Sequence, residues 1–383
     1  MRIAVNTIST KKVAGGAYQI AYNFLMETLK HQDEVEWYYI TSMDVDEVVG
    51  EQFTEMKGKR YFVFPTQPDF RGTYRRVKKE LAKWENEYKP DLIYTISSPC
   101  YFKFKTTEVM RFANAWVTNT NKYVWKTKTL KERLSVSLHC CYQRRLMKNA
   151  DYFVTQTETG KRAIAQTTGI DSNRIKVVSN VLPQVFRTSK VERKKDERYI
   201  NIACVASPFS HKNLGIVPKV LRALKQQYSV TNVRFHLTIP EGHPTILKIM
   251  EDSENFGVSN EIINHGRCTQ TQLCDIYNRC TICFLPTLLE TFSATSLEAM
   301  YFGLDIVATD FDFNHEVIEN AGLYYSPLDA EDAARKIVEI VQNKQIREGM
   351  VEERKKRLTL YGDYSSHFDG ILGFLKQVAR REI

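Results

Sequence analysis

Pro286-Thr-Leu-Leu-Glu-Thr-Phe-Ser-Ala-Thr-Ser-Leu-Glu-Ala-Met-Tyr-Phe-Gly303 decides the fold of this 383-residue chain. Just before it, the apolar run Ile282-Cys-Phe-Leu285 predicts a buried parallel strand ending at Pro286. A polar loop with Glu290 follows. A helix is expected to open near Thr295 and to stop at Gly303, a residue suited to the left-handed position after a helix end. A strand, a turn and a helix N-terminus at the carboxyl edge of a sheet form a site that favours phosphate. Seven residues separate Glu290 from Glu298. With the helix starting between them, one acid lies on the loop and the other in the first turn, so both can face a single ligand. Each acid also has a plainer reading. Thr295-x-x-Glu298 is a capping box, in which Glu298 would serve only the backbone donors of its own helix. Glu290 reads equally as a solvated loop acid.

Working outward, the length suits two domains rather than one core. With 43% hydrophobic and 26% charged residues the composition is that of a globular protein. No apolar leader follows Met1 and no run approaches the roughly 20 apolar residues of a spanning helix, so a cytoplasmic protein is expected. The eight cysteines then read as reduced thiols. Cys280-x-x-Cys283, near Cys268 and Cys274, has zinc-ligand spacing, but Cys283 sits inside the buried strand and leaves no room for a tetrahedral ion, so no metal is expected. A formal charge of +9 points to an anionic partner: phosphorylated substrate, acidic membrane surface or nucleic acid. No nucleic-acid module is visible, and no nucleic-acid partner is expected.

The opening stretch resembles the signature of the family 4 glycosyltransferases, a Glu-x7-Glu pair inside a Pro-Ser/Thr-x-x-Glu-Gly-Phe-Gly loop and helix. The likeness continues through Gly303-Leu-Asp-Ile-Val-Ala-Thr-Asp310 and Glu316-Val-Ile-Glu-Asn-Ala-Gly-Leu-Tyr-Tyr-Ser-Pro327, about forty residues in matched order. Toward the N-terminus, Ile3-Ala4-Val5 begins like a first Rossmann strand and leads to Gly15-Gly16, where the family carries a Gly-Gly loop. Pro90-Asp-Leu-Ile-Tyr-Thr95 is similar to another family segment. Two departures stand out. Residues 109–116 look like the strand and loop that normally present a histidine to the reacting sugar, yet hold none; Asn114 is the nearest polar side chain. After the strand predicted at residues 199–206, Lys212 stands at the family's diphosphate lysine, but Ser207 occupies the place of its arginine.

The resemblance implies an α/β chain of GT-B architecture, two Rossmann-like domains facing each other across a cleft. Residues 1–182 would form the acceptor side, 183–198 a hydrophilic linker, 199–362 the nucleotide-sugar domain, and 363–383 a helix crossing back. It implies a retaining, metal-independent glycosyltransferase that needs no cofactor. The donor would be a nucleoside diphosphate-sugar and the acceptor a saccharide or lipid-linked saccharide, in surface polysaccharide or glycoconjugate synthesis. Catalytic candidates are Glu290, Lys212 and Asn114. Donor-binding candidates are Gly15, Gly16, Ser207, Lys212, Glu290, Phe292, Ser293, Thr295 and Glu298. Because of the two departures, a degenerate binding protein stands as an alternative, and so does a nucleotide-sugar epimerase, which shares the architecture but would need acid and base residues that no position here supplies. Asp310-Phe-Asp312 is read as turn residues. Two basic stretches, residues 71–84 and a long helix expected over 126–149, fall in the acceptor half; the second adds Leu130, Leu134 and Leu138. They read either as solvated faces or as a patch that holds the protein peripherally at the inner, anionic face of the cell membrane.

Overall fold

A computed structural model describes residues 1–11, 16–65, 73–96, 99–192, 196 and 198–383. Gly15 and the first two residues of the basic stretch at 71 lie outside the described residues. The chain divides into two units, one of Met1–Thr118, Ser135–Ser179 and Ser365–Ile383, the other of Asn119–Leu134 and Asn180–Tyr364.

The first unit is built on β1 (Arg2–Asn6), β2 (Glu36–Ser42), β3 (Tyr61–Phe64), β4 (Leu92–Thr95), β5 (Glu108–Arg111), β6 (Tyr152–Thr155) and β7 (Ile175–Val177). They form one sheet in the order β3-β2-β1-β4-β5-β6-β7, with every pair parallel. Buried parallel strands read as near-continuous apolar runs, which is why Ile3-Ala4-Val5 was legible in the sequence. Gly16 opens the helix Gly16–Thr28 that follows β1. The final helix Tyr364–Ala379 packs in this unit through Phe368, whose ring lies 5.0 Å from Phe24 and 4.7 Å from His31.

This sheet also buries a carboxylate. Glu108 is fully buried, with one carboxyl oxygen taking a 2.5 Å bond from the Thr95 hydroxyl, itself bonded at 3.0 Å by Asn6. Its second oxygen has no hydrogen-bond partner among the described residues. Burial first, then the nearby charges of Asp151 and Glu85, raise the carboxyl from its ordinary 4.5 to about 7. A raised carboxyl favours the folded state below pH 4.5, and that advantage is lost as pH climbs through about 7. Glu108→Gln should therefore leave stability near pH 4 almost unchanged and raise it near pH 8, by up to roughly 3 kcal/mol. Denaturant melts at the two pH values check this; an equal effect at both would remove the titration argument.

The second unit holds β8 (Ile200–Cys204), β9 (Val233–Leu237), β10 (Ile262–Asn264), β11 (Ile282–Leu285), β12 (Asp305–Thr309) and β13 (Gly322–Tyr325). Their order is β10-β9-β8-β11-β12-β13, again all parallel, so β11 is an inner strand bonded on both sides. Its alternation is clean. Ile282 and Phe284 enter one apolar layer with Val220, Leu224 and Val307, whereas Cys283 and Leu285 enter the other with Leu297 and Met300. Cys280 and Cys283 are buried in that second layer, and burial pushes both thiols up, holding them protonated.

The long helix expected over 126–149 is two helices, Lys122–Lys126 and Leu130–Met147. The break is a reciprocal cap: the Thr129 backbone N–H donates to Glu132 at 2.8 Å, and the Glu132 N–H donates to the Thr129 hydroxyl at 3.3 Å. Thr129-x-x-Glu132 was a readable signal that the charge pattern masked. Asp312 opens the helix Asp312–Ile318, and Asp310 is bonded to His315 at 2.6 Å.

Candidate functional site at the carboxyl edge of the second sheet

β11 delivers its chain to the loop of residues 286–293, and the helix Ala294–Tyr301 returns along the sheet. The helix end is a Schellman closure around Gly303, whose φ is +71°: Gly303 N–H reaches Met300 O at 3.1 Å and Leu304 N–H reaches Ala299 O at 2.9 Å. The loop is pinned from two directions. Leu288 N–H donates to His211 O at 2.8 Å, and the Thr309 hydroxyl donates to Thr287 O at 2.6 Å. The first bond couples it to the loop after β8, which carries Ser207, His211 and Lys212.

Within this frame Lys212 and Glu290 form an ion pair, their side chains only 19% and 22% exposed. A solvated loop acid does not fit this partnership. Ser207 is exposed on the same loop, its carbonyl accepting from Phe209 N–H at 2.8 Å. His211 stacks on Phe209, with ring centroids 5.6 Å apart. Its imidazole is pushed down to about 4 by burial first, then by Lys212, and further by Lys128, against the pull of Glu290. At neutral pH it is uncharged.

Glu298 is not a cap. It is the fifth residue of its helix, in the second turn rather than the first, and only 8% exposed. The Tyr277 hydroxyl donates to its Oε2 at 2.5 Å. Burial raises the Glu298 carboxyl from 4.5 to about 7, partly offset by that bond. Ser293 precedes the helix without a side-chain cap, Thr295 is half-buried in the first turn, and Phe292 is a core residue set edge-on to Tyr361 at 5.8 Å. Whatever Phe292 offers a ligand comes from its backbone.

Asn114 lies in the first unit, its amide donating to Gln143 at 3.0 Å and its oxygen accepting from Trp116 N–H at 3.1 Å. Two further residues were not legible in the sequence: Tyr277, on the helix Gln270–Arg279, and Asn121, which donates to Leu288 O at 2.8 Å. Neither sits in a local pattern; both reach the site only through folding.

Residues 185–357 match the family model of glycosyl transferases group 1. The O-antigen chain mannosyltransferase RfbU of Salmonella typhimurium is 23% identical over 196 residues, 51% of this chain and 52% of its own. The chain thus spans about half the length of that curated relative. A glycosyltransferase of Rickettsia africae superposes with a TM-score of 0.71 at 14% identity, covering 98% of both chains. Anabaena HepE, solved with UDP and glucose, gives 0.66 at 13% identity over 98% of this chain and 99% of its own. The fold is therefore the two-unit, Rossmann-like GT-B architecture, and residues 185–357 are similar to the glycosyl transferases group 1.

Proposed function

We propose that this protein is a retaining glycosyltransferase that moves a sugar from a nucleoside diphosphate-sugar to a saccharide or lipid-linked saccharide, in O-antigen or related surface polysaccharide synthesis. The observation that carries the reading is the Lys212–Glu290 pair, held on two loops at the carboxyl edge of the sheet beside a helix N-terminus. Negative charge develops on the leaving diphosphate, and a preorganised cation and helix start placed there stabilise the transition state. Glu290 and the backbone amides near Phe292 and Ser293 hold the sugar hydroxyls. Glu298 holds the ribose. Retention follows from front-face attack guided by the leaving phosphate, whose charge the protein's own groups meet, with no cofactor. Asn114, in the place of the missing histidine, is assigned to the reacting sugar.

A panel of nucleoside diphosphate-sugars tests this, first by thermal stabilisation and then by acceptor-dependent release of the diphosphate. Binding without acceptor-dependent release would favour the degenerate reading. Sugar inversion without transfer would favour an epimerase.

The same reading places the protein peripherally on an anionic leaflet. No helix among the described residues is long and apolar enough to cross a membrane. The helix Leu130–Met147 is apolar on two faces, however: Cys140 and Met147 are buried, while Leu130, Leu134 and Leu138 are 81%, 64% and 64% exposed. Spacing of four residues stacks these leucines on one side, near exposed Lys131, Arg145 and Lys148. Vesicles with anionic lipid should bind the protein in a salt-sensitive manner, each basic residue contributing roughly 1 kcal/mol. Replacing the three leucines by serine should weaken flotation about ten-fold or more. Indifference to anionic vesicles at low salt would leave the face as solvated surface.

A further inference from the structure

Two successive carbonyls of the Glu290 loop are held by side chains that no local pattern places there. Backbone pairing of β11 with β12 ends at Leu285 and Ala308, and Pro286, next in the chain, has no N–H to donate. A side chain takes over. The Asn314 amide donates to both the carbonyl and the hydroxyl of Thr309, at 2.8 and 3.0 Å. A carbonyl can only accept, so the amide nitrogen faces Thr309, and the Thr309 hydroxyl proton is left for Thr287 O at 2.6 Å. All three residues are buried, so no water competes for these bonds.

The next carbonyl is held from elsewhere. Residues Asn119–Leu134 fold with the second unit although they come from the first half of the sequence. Asn121 accepts from Tyr123 N–H at 2.9 Å and Val124 N–H at 3.0 Å through one atom, which must be its oxygen. Its amide nitrogen therefore faces Leu288 O, at 2.8 Å. Between the two carbonyls, Leu288 N–H donates to the carbonyl of His211, the residue before Lys212. The backbone at 287–288 is thus tied to three segments remote in sequence, and Glu290, two residues on, meets Lys212. A preorganised charge pair needs geometry held this firmly, since a shift of about 1 Å at a reacting centre can cost on the order of a hundred-fold in rate.

We propose that Thr309 and Asn121 are positioning residues of the donor site, which fix Glu290 against Lys212 by holding the carbonyls of Thr287 and Leu288. The inference rests on the donor-site reading above and adds two residues to which that reading gives no role. The test compares the full chain with Thr309→Val, Thr309→Ser and Asn121→Asp. Valine removes the hydroxyl, serine keeps it, and aspartate keeps the helix cap but has no amide to donate. Asn121 is half-buried, so its variant keeps the test open should the valine protein fail to fold. Affinity for UDP-glucose or GDP-mannose should fall roughly ten-fold or more in the valine and aspartate variants and stay within about three-fold in the serine variant. Binding of uridine or guanosine should stay within about two-fold in all three. In a Glu290→Gln background the valine and aspartate changes should cost less than about two-fold, because they act through Glu290. Hydrogen exchange across residues 287–291 needs no ligand and should quicken in both. Losses that add in full to that of Glu290→Gln overturn the proposal, and so does donor affinity equal to the parent's in both variants. A lowered melting temperature with nucleoside and donor weakened alike overturns it too, making the two residues scaffold. A parent protein that binds neither nucleotide-sugar removes the donor-site reading and this proposal with it, a failure separate from additive losses in a parent that binds.

Discussion

Lys212→Ala is expected to lower turnover by roughly two to three orders of magnitude while leaving binding of the free nucleoside within about two-fold. The asymmetry follows from where charge grows. On the donor-site reading proposed above, the nucleoside does not meet Lys212, and the diphosphate meets it most strongly as the glycosidic bond breaks. Removing the lysine also leaves Glu290, its ion-pair partner, as an uncompensated carboxylate where the anionic donor must sit. Glu290→Gln alone should cost the sugar a charged acceptor. The double variant should therefore recover part of the diphosphate affinity lost in Lys212→Ala, and a double-mutant cycle on diphosphate binding reads that coupling directly. Turnover equal to the parent's in Lys212→Ala would withdraw the lysine from the reaction.

Glu298→Gln should weaken nucleotide binding about ten-fold or more at pH 8, the size of one lost charge-assisted hydrogen bond. The pH matters because the buried carboxyl titrates near 7 rather than 4.5. Ribose hydroxyls donate to the ionised form, so the parent's affinity should rise from pH 6 to pH 8 and the glutamine variant's should stay flat. Stability runs the other way. The folded state prefers the neutral acid, so its contribution is complete below pH 4.5 and is lost as pH rises through about 7. Glutamine keeps an oxygen for the Tyr277 hydroxyl, so its melting temperature at pH 8 should not fall below the parent's. Alanine would strand that buried hydroxyl and cost about 1–3 kcal/mol. A glutamine variant with the parent's nucleotide affinity at pH 8 would reduce Glu298 to a packing residue.

The sequence by itself determined the sheet and the order of its parts. Ile282-Cys-Phe-Leu285 is β11 to the residue, because an inner parallel strand must be apolar on both faces and that demand is written locally. Gly303 ended its helix as read, because only glycine enters the left-handed region there without strain. Lys212 and Glu290 were singled out 78 residues apart, and folding joined them in one ion pair. What the tertiary structure alone decided concerns partners. Glu298 looked like a cap because Thr295 stands three residues before it; its real partner, Tyr277, lies on the preceding helix, and no local spacing links the two. Lys126, Lys128 and Lys131 looked alike as a basic run. The break at Thr129 leaves Lys128 mostly buried between the two helices and Lys131 exposed on the second, a difference that composition does not record. Local patterns record what a residue must avoid, such as water or strain. Which charge it meets depends on loops brought together from distant parts of the chain.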